Sequence, residues 1–82
     1  MWVTSLRVPK KDFERVLKIC EDIARRDRSF RYKVVGKRIR IYSDDKDIAY
    51  GRGSWFVYKV NNRIRYTVYW TPRERLEHER GS

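Results

Sequence analysis

Arginine and lysine interleave with tyrosine, tryptophan and phenylalanine in two stretches of this chain. That mixture serves one kind of chemistry well: cations hold phosphates while flat rings stack on bases. The 82 residues carry 21 Lys+Arg against 11 Asp+Glu, a formal net charge of +10. Residues 29–43 contribute Arg31, Lys33, Lys37, Arg38 and Arg40 with no acid, and residues 54–70 contribute Lys59, Arg63 and Arg65, again with none. Eight of the ten net charges therefore fall in two segments that also hold most of the aromatic residues. A merely soluble surface mixes both signs, so the segregation points to an anionic partner.

Other chemistries find little support. Asp44, Asp45 and Asp47 resemble a metal-ligand cluster, but no distant histidine or acid completes it, and a solvated turn is the better reading. Cys20 is the single cysteine and His78 the single histidine, which excludes an internal disulfide and a zinc motif. No nucleophile triad or phosphate-binding glycine loop is present. The expectation is a protein that is not an enzyme and needs no cofactor. No apolar run reaches membrane-spanning length and no signal peptide is visible, so the expected location is cytoplasmic. Gln is absent, Asn occurs only at 61 and 62, and Arg outnumbers Lys, a composition that hints at a thermophile.

The elements that must position the basic residues are read from periodicity. The length allows one domain, 1–82. Over residues 10–27, Phe13, Val16, Leu17, Cys20, Ile23 and Ala24 recur at three- and four-residue spacing, predicting an amphipathic helix. Glu14–Lys18, Glu21–Arg25 and Asp22–Arg26 are spaced for pairing on its outer side. Residues 30–42 alternate with period two and break at Gly36-Lys37, predicting a hairpin with a type II′ turn. In that register Val35 faces Arg38, Val34 faces Ile39 and Lys33 faces Arg40. Phe30, Tyr32, Val34, Ile39 and Ile41 then share the inner face, and Arg31, Lys33, Val35, Arg38, Arg40 and Tyr42 the outer.

A second hairpin is expected from strands of about 54–60 and 63–70 around a type I′ turn at Asn61-Asn62. It would turn Trp55, Val57, Ile64, Tyr66, Val68 and Trp70 inward and Phe56, Tyr58, Val60, Arg63, Arg65, Thr67 and Tyr69 outward. Burying two unpaired guanidiniums would be costly, which sets the direction. Residues 1–8 are expected to add a short edge strand, and Thr71-Pro72-Arg73-Glu74 has the form of a capping box opening a short helix over 72–80. The fold class is thus α+β: one helix packed on an antiparallel sheet of two hairpins. The candidate nucleic-acid-binding residues are Arg31, Lys33, Arg38, Arg40, Tyr42, Phe56, Tyr58, Arg63, Arg65 and Tyr69. Their aromatics favour single strands over duplex.

The whole-chain plan of an amphipathic helix at Phe13–Ala24, two basic and aromatic hairpins and a helix start at Thr71-Pro72 resembles the ThermoDBP-related archaeal single-stranded-DNA-binding proteins. That resemblance implies single-stranded DNA held without strong sequence preference, association with the nucleoid, and a homo-oligomer formed through the C-terminal helix. Residues 55–75 also resemble the closing hairpin of RelE-like messenger-RNA-cleaving toxins, which implies Arg63, Arg65, Tyr69 and Arg73 as cleavage residues. A basic module docking on RNA or a ribonucleoprotein is a third reading of the same charges.

Overall fold

The computed structural model describes residues 1–72, and it orders them as strand, helix, two strands, helix, strand. β1 spans Trp2–Arg7, α1 Phe13–Arg26, β2 Arg31–Val35, β3 Arg38–Ser43, α2 Lys46–Trp55 and β4 Arg65–Trp70. The four strands form one antiparallel sheet in the order β2-β3-β1-β4. This βαββαβ connectivity is the split-βαβ, ferredoxin-like plan. Both helices cover the same face of the sheet: α1 and the helical turn Phe56–Val60 that continues α2 share one apolar cluster with Leu6, Ile39, Ile41 and Ile64, and Thr4 on that face bonds to Ala49 of α2. The class is α+β, with the amphipathic helix packed on the sheet as expected. The proposed helix over 72–80 lies beyond the described residues from position 73 onward.

The first hairpin has the register that alternation predicts. Val35 faces Arg38, Val34 faces Ile39, Lys33 faces Arg40 and Tyr32 faces Ile41. Gly36 has φ +61 and no other described residue has positive φ, the pattern of a two-residue turn with its left-handed position first. In α1, Val16 and Cys20 are fully buried, while Phe13, Leu17, Ile19, Ile23 and Ala24 pack around the same core. A 3₁₀ turn at Lys10–Asp12 precedes it. On its outer side Arg25 reaches Asp22, at 2.8 Å, three residues back instead of Glu21 four back.

The second hairpin does not form. Residues 46–60 are helical, where Asp45 and Asp47 are expected in a solvated turn and 54–60 in a strand. Asp45 caps the start: its Oδ1 accepts from the backbone N–H groups of Asp47 and Ile48 at 2.7 and 3.3 Å. Ala49, Gly53, Phe56 and Val60 then recur at four-, three- and four-residue spacing, and this stripe enters the core. The last turn is wider, with Asn61 N donating to Phe56 O five residues back. Thr4 Oγ1 donates to Ala49 O at 2.7 Å, which fixes α2 onto β1 in a buried position.

β4 therefore takes its partner from the far end of the sequence. Its residues pair with β1, Arg65 opposite Arg7 and Trp70 opposite Trp2. The N-terminal segment, expected at an edge, is a central strand flanked by β3 and β4. Val3, Thr4, Ser5 and Leu6 are all buried: both edges of this strand are paired, Thr4 and Leu6 face the helices, and on the other face Val3 packs with Tyr42 and Met1. Asn61 adopts extended backbone, not a type I′ turn. Its amide donates to Asp12 Oδ2 at 2.6 Å and its carbonyl oxygen accepts from Arg63 N at 2.9 Å, clipping the loop before β4 to the start of α1.

Candidate nucleic-acid interface

Strand pairing arranges the second sheet face, opposite the helices, in three rows. The first row runs Val35, Arg38, Arg7, Arg65 across β2-β3-β1-β4. The second runs Lys33, Arg40, Ser5, Thr67, and the third Arg31, Tyr42, Val3, Tyr69. Successive rows lie two residues apart along each strand, roughly 6.7 Å. Six cations share this face, and none of the four strands contains an acidic residue. Among the described residues, no helix lies over it.

The first row is the most strongly charged. Arg7 stands directly opposite Arg38 on one side and Arg65 on the other. Like charges placed opposite each other across strands destabilise a sheet. Arg65 is partly tied down: its Nη1 donates to the carbonyls of Asn62 at 2.8 Å and Ile64 at 3.1 Å. Among the described residues no carboxylate pairs with Arg7, Arg38 or Arg65. The three arginines, together with Ser5, Tyr66 and Thr67, line a shallow cavity of about 120 Å³. At the opposite corner of the face Arg31 approaches Asp44 at 3.9 Å, a loose surface pair.

Seven of the ten sequence-predicted residues reach this face: Arg31, Lys33, Arg38, Arg40, Tyr42, Arg65 and Tyr69. Tyr42, however, is only 4% exposed and packs with Val3 against Met1, so it supports the face instead of offering a ring. Phe56 belongs to the core on the helical side. Tyr58 is 84% exposed but sits in the helical layer, away from the cationic rows. Arg63 lies in the loop before β4. The departures of Phe56, Tyr58 and Arg63 have one cause, the helix where a strand was expected; Tyr42 is covered because β1 pairs alongside β3. Trp55 and Trp70, expected inward, are both substantially exposed; Trp70, at 58%, keeps the parity of Trp2 on the helical side of the sheet edge, opposite in direction to Tyr69.

Arg7, Ser5 and Thr67 were missed as site residues. The signal for Arg7 was present: Trp2, Leu6 and Val8 mark an inward parity that leaves Val3, Ser5 and Arg7 pointing the other way. What alternation could not supply was the partner strands on both sides. Cys20 is inert, because burial pushes its thiol up to about 12. Among the described residues no group of acids, cysteines or histidines could hold a metal ion. No described helix is long and apolar enough to cross a membrane. No protein-family model, curated protein or solved structure matches this chain.

Proposed function

We propose that the sheet face carrying Arg7, Arg31, Lys33, Arg38, Arg40 and Arg65 binds single-stranded nucleic acid, DNA in the first instance, without strong sequence preference. The observation that supports this most is the Arg38–Arg7–Arg65 row. Three strands, one of them from the other end of the sequence, bring like charges side by side at a cost in stability. Such an arrangement is intelligible where an anion spans the row. Four-stranded sheets with one uncovered face are used in this way by RNA-recognition modules, an analogy of architecture only. Bases would stack on Tyr69, the exposed ring at the far end of the face.

The test is a fluorescence-anisotropy titration of oligo-dT, a matched single-stranded RNA and a duplex across salt concentrations. Binding should favour the single strands and weaken steeply with salt, by about 0.7 in the log–log slope for each phosphate contact. Tyr69→Ala should weaken it, by about 1–3 kcal/mol if one base stacks there. Tyr58→Ala, on the helical side, should leave it unchanged. Undetectable binding, or binding insensitive to salt, would refute the proposal. Incubated RNA should remain intact; cleavage products would favour the toxin reading.

A further inference from the structure

The cavity at the first row has features beyond those of a general cationic surface. We propose that it is a subsite for a terminal phosphomonoester, the phosphorylated end of the strand whose backbone runs over the rest of the face. This assignment rests on the nucleic-acid reading above. Size is the first argument: about 120 Å³ is ample for one tetrahedral oxyanion within reach of all three guanidiniums. Charge is the second. A phosphodiester carries one negative charge, whereas a terminal phosphate carries about −1.5 to −2 at neutral pH, a closer match to three guanidiniums.

Donor geometry is the third argument. Arginine forks match phosphate oxygens in pairs, and the two carbonyl bonds to Arg65 Nη1 fix that guanidinium before any ligand arrives. Ser5, itself 4% exposed, and Thr67 add hydroxyls to the same cavity. Position is the fourth. The row lies where β1 ends and where β3 and β4 begin. Both other rows fall to one side of it, so a strand lying along the face reaches its end here.

The experiment compares internally labelled oligo-dT carrying a 5′-phosphate, a 3′-phosphate or hydroxyls at both ends, with inorganic phosphate as competitor. One phosphorylated end should bind about tenfold tighter than the hydroxyl-ended strand, the effect of one added charge-assisted contact. Which end gains identifies the end seated. The advantage should be larger at pH 8 than at pH 5, because the phosphate loses its second proton near pH 6. Inorganic phosphate should erode it. Arg7→Gln and Arg38→Gln should abolish the preference, and Thr67→Val, which suits a strand, should reduce it while the circular dichroism spectrum stays native. Equal affinity for all three oligonucleotides, with salt-dependent binding intact, would overturn the subsite and leave the sheet-face reading standing. Failure of all three to bind would remove both.

Discussion

Arg7 is the residue on which stability and function pull in opposite directions. Its guanidinium faces Arg38 and Arg65 across two strand pairs, so replacing it with a β-favouring neutral residue removes two repulsions. Arg7→Thr should raise stability by about 0.5–1 kcal/mol, a few degrees in the melting temperature, while weakening oligonucleotide binding. A variant that melts earlier would show that the row is held by contacts unrelated to a ligand. Cys20 gives the opposite kind of prediction, one about inertness. Burial raises its thiol from 9.0 to about 12, so the folded state favours the protonated form. Its contribution is fully present below pH 9 and is lost as pH rises through 9 toward 12. Alkylation of the native protein at pH 8 should therefore be slow until denaturant is added. Rapid labelling without denaturant would contradict the buried placement.

At the scale of elements, α2 shows why local pattern misled. Two glycines within ten residues lower helix propensity, and the following Trp55–Val60 run is rich in β-formers. The stripe at Ala49, Gly53, Phe56 and Val60 was nonetheless written in the sequence, with Asp45 as its cap. It was obscured because Gly53 acts as an apolar contact: a Cβ there would run into the ring of Tyr66, whereas one at Gly51 meets open space. The two positions predict opposite outcomes in thermal melts. Gly51→Ala should stabilise by about 0.5–1 kcal/mol through helix propensity. Gly53→Ala should destabilise by about 1–3 kcal/mol, overpacking outweighing that gain. If both variants stabilised, the seating of α2 against β4 would be wrong. Elements with one clear period, α1 and the β2–β3 hairpin, were readable down to their register. The central place of β1 was not, since Val3-Thr4-Ser5-Leu6 puts one apolar and one hydroxyl residue on each face and gives no sign of the strands on either side.

For the whole molecule, the helices fill one face of the sheet and leave the other to six cations, and this asymmetry turns a net charge of +10 into a directional surface. Most of the cationic rows could be read from the sequence because β3 and β4 each have a clear parity. Much of the aromatic half of the expected site could not, since Phe56 and Tyr58 depended on a strand that is a helix and Tyr42 on an unforeseen neighbour, β1. Phe56 went into the core, Tyr58 to the other layer, and Tyr42 beneath its neighbours. The case for single strands over duplex now stands on Tyr69. The central claim is that the sheet face, and not total charge, binds the ligand. It is tested most directly by measuring salt-dependent oligo-dT affinity for Arg7→Gln beside Arg15→Gln, an equal charge change on the exposed side of α1. The account predicts that Arg7→Gln weakens binding and flattens the log–log salt slope by about 0.7, while Arg15→Gln leaves the slope unchanged. Equal losses from the two variants would contradict it.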